Sequence, residues 1–186
     1  MTALMCDSTG SELLIILKHN DEVYKECFTG KTGHSPLIMS LVDSVLKRAG
    51  IKVDDVDVFA ACVGPGSFTG IRIGLACFNA LAYATGKKRI EINSFEILTY
   101  DCADGLYRID AGSNNSYLCL KEGDSLKLSF LEGTDGSLKF EQQNADRAGA
   151  FIAVTEKKFK NKEFSSNLKP IYLRKSQAER MADVKN

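Results

Sequence analysis

The chain has 186 residues, 44% hydrophobic and 26% charged, with 24 basic side chains balancing 24 acidic ones. This composition suits one globular domain or two small lobes, with a core that needs neither disulfides nor a metal. A zero net charge excludes a protein that holds nucleic acid by its overall field, and no apolar run approaches a membrane span. Met1–Asp7 lacks the basic start of a secretion signal, so the expected location is cytoplasmic. The six cysteines, at 6, 27, 62, 77, 102 and 119, show no C-x-x-C spacing. They read as small buried hydrophobes of a reducing compartment. Charge is uneven along the chain: residues 155–186 hold nine basic against four acidic side chains, +5, leaving −5 elsewhere. Two readings of that basic tail stand, a solvated C-terminus or a contact with RNA or an acidic partner.

In chain order, residues 2–6 are a short apolar run stopped by the turn cluster Asp7-Ser8-Thr9-Gly10. Residues 12–18 and the alternating 22–28 follow, separated by His19-Asn20-Asp21, so 1–28 is expected to be a three-stranded meander. Residues 35–49 form a helical pattern. Ser35 is its expected cap, Pro36 its first residue and Gly50 its stop, with one apolar stripe through 38, 41, 42, 45, 46 and 49. "VFAACV" (58–63) is continuous and apolar, as in a strand covered on both faces. Next come the glycine loop "VGPGSFTGIRIG" (63–74), a helix from Ser67 to Thr85, a strand at 90–93 and a short helix over 94–103 capped by Ser94.

From Leu106 the N-terminal pattern returns at a constant offset of 103 residues. Asp7 falls on Asp110, Leu17 on Leu120, Lys18 on Lys121 and Asp21 on Asp124, with no gap. A repeat of this length indicates two related lobes. A meander followed by helix, strand, helix, and then repeated, is the layout of the actin-like ATPase (ASKHA) fold, an α/β architecture. The lobes are expected at 1–103 and 104–186. The second is reduced, because after residue 132 only "GAFIAVT" (149–155) is apolar.

The glycine loop fails both phosphate-binding patterns. Five places after Gly64 stands Thr69 rather than glycine, and no lysine follows; Gly64-x-Gly66 is followed by three residues, not two, before Gly70. A packing role fits better. Gly64, Pro65 and Gly66 turn the chain, and Ser67 or Thr69 caps the helix. Gly70 and Gly74 share a face that Cys77 extends, with Ile73, Ala76 and Ala80 on the face beside it. Arg72 is the one charged side chain in the first turns, available to an acidic partner group. So many small and apolar positions imply a helix covered both by its own sheet and by a second body.

"GPGSFTGIRIG" closely resembles the signature of the TsaB (YeaZ) family, which takes part in bacterial synthesis of threonylcarbamoyl-adenosine in tRNA. "CDST" (6–9), "HSPLIMSLVDSVLKRAGI" (34–51), "IDAGSNNSYLCL" (109–120) and "PIYLRKSQAE" (170–179) are similar to further family stretches in the same order, although Gly112 replaces a common arginine. The resemblance implies an actin-like fold without a complete active site: a non-catalytic scaffold that pairs with and activates the catalytic relative TsaD through the helices 35–49 and 67–85. It also implies a small TsaE-like ATPase as a further partner, homodimers through the same helices when alone, and tRNA reached only indirectly. No cofactor of its own is expected; ATP or ADP would bind only at the junction with the partner. The interface positions expected from helical geometry are Leu37, Leu41, Val45, Gly70, Arg72, Ile73, Gly74 and Cys77.

The alternative is a stand-alone actin-like ATPase or a glycoprotease-type hydrolase. Zinc hydrolysis needs converging ligands, and this chain offers only His19 and His34. A serine hydrolase needs G-x-S-x-G, which "GPGSFTG" does not provide. Asp7, Ser8 and Thr9 keep two readings: a vestigial nucleotide turn, or a turn aspartate bonding nearby backbone amides.

Overall fold

The computed structural model describes residues 1–30, 37–133 and 136–174. His34, Ser35 and Pro36, and the tail from Lys175, lie outside the described residues. The N-terminal meander forms as β1 (Ala3–Asp7), β2 (Glu12–His19) and β3 (Glu22–Thr29), followed by α1 (Ile38–Ala49), β4 (Val58–Gly64), α2 (Phe68–Thr85), β5 (Lys88–Asn93) and α3 (Ser94–Leu98). The strands make one sheet in the order β3-β2-β1-β4-β5. β1, β4 and β5 run parallel to one another, and β2 and β3 antiparallel to their neighbours.

Side-chain alternation divides this sheet between two cores. Leu4, Phe59, Ala61 and Val63 point into the core under α1 and α2. Met5, Val58, Ala60 and Cys62 point to the opposite face. β4 is buried along its whole length, as its unbroken apolar run requires. Gly50 and Gly86 end α1 and α2 in the left-handed conformation, with φ of 67° and 66°.

The second sheet is β6 (Gly105–Gly112), β7 (Asn115–Glu122) and β8 (Ser125–Leu131), all antiparallel. Shifting β2 by 103 residues lands on β7, and shifting β3 lands on β8 with the same pairing: Lys18 opposes Val23 as Lys121 opposes Leu126. β6 is slipped by one residue, because Ile109 faces Tyr117 where Cys6 faces Ile15. The irregularity between Asp110 and Gly112 lies in this slipped strand.

Three expectations are corrected. The helix after β5 stops at Leu98, and Asn93 caps it, not Ser94: Asn93 Oδ1 accepts from Phe95 N while Glu96 bonds back to Asn93 N. The weak stretch after 132 contains α4 (Arg147–Lys160), capped by Asp146, whose Oδ1 accepts from Gly149 N. α4 also lies on the wrong side of the expected lobe boundary at 103/104. Its Ala150, Phe151 and Val154 fill the second face of the first sheet, against Met5, Ile16 and Ile90. Burying a phenylalanine like Phe151 is worth about 2–3 kcal/mol, so a segment of the second half completes the core of the first. The chain then returns across the first lobe as a strap, residues 165–174. Ser165 bridges Arg89, the Asn79 amide holds both the N–H and C=O of Leu168, and Ile171 N donates to Val63 O.

Candidate functional site

The glycine loop and the Asp7 turn are zipped together. Ser67 N donates to Thr9 O at 2.7 Å, and Ser8 Oγ donates to Gly70 O at 2.8 Å. Ser67 caps α2 by accepting from Gly70 N, which settles the choice between Ser67 and Thr69; Thr69 is exposed in the first turn. A Cβ at Gly66 would stand 2.4 Å from Thr9 O, and one at Gly70 1.9 Å from Ser8 O. The glycines therefore let α2 lie directly on the backbone that follows β1. Ser67 N and Gly70 N, which a phosphate cradle would aim outward, are spent on the chain itself. Gly64 and Pro65 are buried, and Pro65 O accepts from the buried Ser94 hydroxyl.

Asp7 is 2% exposed. Its Oδ1 accepts from Thr9 N at 2.9 Å and Thr9 Oγ1 at 2.7 Å, and its Oδ2 pairs with Arg147 Nη2 at 2.5 Å. Of the two readings of this turn, the geometry matches the aspartate that bonds nearby amides. An arginine from the first residue of α4 stands against the oxygen that a metal or phosphate-bound cation would need.

Two of the expected interface glycines and one valine face inward. Val45 is fully buried in the core beneath α1, and Gly70 and Gly74 lie against Ser8. They are not on an accessible face. A leucine at Gly74 would disturb the fold itself, since a Cβ there already meets Ser8 Oγ at 2.3 Å. Leu37, Leu41, Ile73 and Cys77 are half-buried and packed on the core, and Arg72 is exposed. The outward stripe of α2 runs instead through Arg72, Ala76, Ala80, Tyr83 and Ala84, at the three- and four-residue spacing of one helical face. Tyr83 is 83% exposed. Ala76 and Ala80 were expected on the face beside Gly70 and Gly74, and they lie on this outward stripe; Tyr83, on the same stripe one turn further along, was not expected. Phe68 and Tyr172 were also missed. Their rings stack at 4.4 Å beside Arg72, and Arg72 Nε donates to the Tyr172 hydroxyl at 2.8 Å.

His19 is committed within the chain: Nδ1 meets Thr2 Oγ1 at 2.9 Å and Nε2 meets the Asn20 amide at 3.0 Å. Among the described residues no cluster of three His, Cys, Asp or Glu side chains has a metal-binding arrangement. All six cysteines are free thiols. Burial, with the Asp7 charge second, pushes Cys62 up to about 12, and burial raises Cys6. Cys27 departs from the expectation of buried thiols. It is exposed, and its Sγ bonds Glu12 Oε1 at 2.6 Å, which raises its pKa. Burial likewise raises Cys77 and Cys119, the opposite of the lowered pKa that activates a thiol nucleophile. Among the described residues no helix is long and apolar enough to cross a membrane.

Two sheets built from repeated meanders, helices on both faces of the first, and an aspartate turn after the first strand whose oxygens are occupied from within define an actin-like α/β protein. Two solved structures from Pseudomonas aeruginosa share the fold along nearly their whole length. One is described as an uncharacterized protein with similarity to peptidase YEAZ (TM-score 0.74, 19% identity, 93% of this chain and 99% of that one). The other is YeaZ itself (TM-score 0.73, 19% identity, 92% and 99%). The sequence model of TsaD, tRNA N6-adenosine threonylcarbamoyltransferase, matches residues 29–129, from the end of β3 to β8. The chain belongs to this TsaD family, and its fold is that of YeaZ (TsaB), in line with the resemblance seen in the sequence. Curated relatives include the tRNA N6-adenosine threonylcarbamoyltransferases of Chlorobaculum tepidum, 32% identical over 102 residues (49% of this chain, 29% of that protein), and of Agrobacterium fabrum, 41% identical over 75 residues (39% and 20%). The chain thus matches less than a third of the length of these transferases.

Proposed function

We propose that this chain is a non-catalytic subunit of a tRNA threonylcarbamoyl-adenosine synthesis complex, which binds a TsaD-like transferase through the outer face of α1 and α2 and activates it. The observation that carries the reading is the outward stripe of α2. Ala76, Ala80 and Tyr83 are exposed on a helix whose opposite side is already fully used by its own sheet. Small exposed residues beside one protruding aromatic suit close helix-to-helix docking. The full-length likeness in fold to YeaZ supports the same reading. The occupied oxygens of Asp7 and the committed ring nitrogens of His19 weigh against a stand-alone ATPase or hydrolase.

On this reading the isolated chain pairs with itself through the same face, and a TsaE-like ATPase joins the heterodimer. ATP or ADP enters only at the junction between subunits, and tRNA is held by the partner. The test is reconstitution: threonylcarbamoyl transfer to tRNA by the TsaD-like protein of the same organism, with and without this chain. Transfer that depends on the chain supports the reading. Transfer by the chain alone, or undiminished transfer without it, overturns it.

A further inference from the structure

Arg72 is the only charged side chain in α2. Its guanidinium carbon lies 5.5 Å from the ring centres of both Phe68 and Tyr172, and its Nε is held by the Tyr172 hydroxyl. Arg48 of α1, also exposed, is by contrast spent on Glu26 at 2.8 Å. Among the described residues no carboxylate pairs with Arg72 and no hydrogen bond engages its terminal nitrogens. Two planar rings and one hydrogen bond thus fix the fork while leaving its bidentate edge free.

We infer that Arg72 is the specificity anchor of the α2 face and takes a carboxylate side chain of the TsaD-like partner, with Phe68 and Tyr172 as its positioning residues. The inference rests on the function proposed above and adds the group the partner must bring. Any protein that covers Ala76 and Tyr83 desolvates Arg72 as well. A buried, unpaired cation is strongly unfavourable, so a stable partner has to supply an anion there. A fork with Nε already occupied offers two parallel N–H groups, the geometry that a carboxylate matches. A nucleic-acid phosphate is the lesser fit, because backbone binding recruits several cations and the rest of this helix is uncharged. The strap gains a second role. Tyr172 lies 100 residues from Arg72 in sequence, so the C-terminal segment assembles part of the recognition surface.

The experiment is calorimetric titration of the TsaD-like protein of the same organism into the full chain at 50 and 300 mM salt, for wild type, Arg72→Lys, Arg72→Met and Tyr172→Phe, with tRNA titrated separately. Arg72→Met should weaken partner binding by about tenfold or more and flatten its salt dependence. Arg72→Lys, which keeps the charge and loses the fork, should fall between. Tyr172→Phe should cost a few-fold, about what one lost orienting bond is worth. Arg72 is exposed, so all variants should keep the wild-type melting temperature. Partner binding within twofold of wild type for Arg72→Met overturns the anchor. If Ala76→Arg still abolishes the complex in that case, the proposed docking face stands and only the anchor falls. Loss of tRNA binding with partner binding intact reassigns Arg72 to phosphate and also overturns it. No complex with the wild-type chain removes both.

Discussion

Asp7 and Arg147, 140 residues apart in sequence, form a salt bridge at 2.5 Å between the end of β1 and the start of α4. The carboxylate is 2% exposed, and three donors already fill it. Removing the arginine while leaving the buried charge costs more than removing both. Arg147→Met should therefore destabilise the chain by about 3–5 kcal/mol, and the double variant Asp7→Asn/Arg147→Met should recover part of that. Urea unfolding measures both. The same occupancy predicts that magnesium and ATP leave the wild-type melting temperature unchanged in a thermal-shift assay. A rise of several degrees would reopen the nucleotide reading of this turn.

Two glycines four residues apart in α2 should respond very differently to alanine. At Gly70 the new methyl meets the Ser8 carbonyl oxygen at 1.9 Å. Backbone cannot yield there, so Gly70→Ala should cost about 3 kcal/mol. At Gly74 it meets the Ser8 hydroxyl at 2.3 Å, which can rotate away at the loss of one hydrogen bond, about 1 kcal/mol. The gain in helix propensity is also about 1 kcal/mol, so Gly74→Ala should be nearly neutral. Equal destabilisation of the two in denaturant titrations would contradict this packing account.

The strap hangs on Asn79, which donates to Leu168 O at 3.0 Å and accepts from Leu168 N at 2.9 Å. Asn79→Ala removes both bonds and should cost about 2 kcal/mol. Limited proteolysis should then cut near residues 165–170 well before the rest of the chain. Unchanged cleavage kinetics would mean that the buried Leu168 side chain suffices to hold the segment.

Stability should fall at alkaline pH. Cys62 is raised from 9.0 to about 12 by burial, so above pH 9 the unfolded chain loses a proton that the folded chain keeps. The unfolded state is favoured by about 1.4 kcal/mol per pH unit between those values. Cys62→Ala should shallow that slope by about one proton in the linkage plot of unfolding free energy against pH. A slope unaffected by the substitution would show that Cys62 ionises in the fold.

The repeat at 103 residues was legible because strand alternation and turn residues are local signals; β7 and β8 landed where the offset placed them, with β6 slipped by one residue. The ends of α1 and α2 were legible from Gly50 and Gly86 for the same reason. α4 was not. Its apolar residues are few, and the face they complete belongs to strands more than fifty residues earlier. Gly70 and Gly74 were correctly placed on one helical face, but the pattern could not say which body that face meets. That required the path of the turn after β1. Arg147 carries no local signal, and Tyr172 only its place in the stretch 170–179; each acquires its role through a partner a hundred residues or more away.

On the function proposed above, another protein docks on the outward face of α2. The most direct test is size-exclusion chromatography with light scattering on wild type and Ala76→Arg, each alone and mixed in equal amounts with the TsaD-like protein of the same organism. The wild-type chain should be a homodimer that exchanges into a one-to-one complex. Ala76→Arg, with an unchanged melting temperature, should stay monomeric and elute apart from the partner. A wild-type monomer that ignores the partner, or an Ala76→Arg variant that still forms the one-to-one complex, would contradict it.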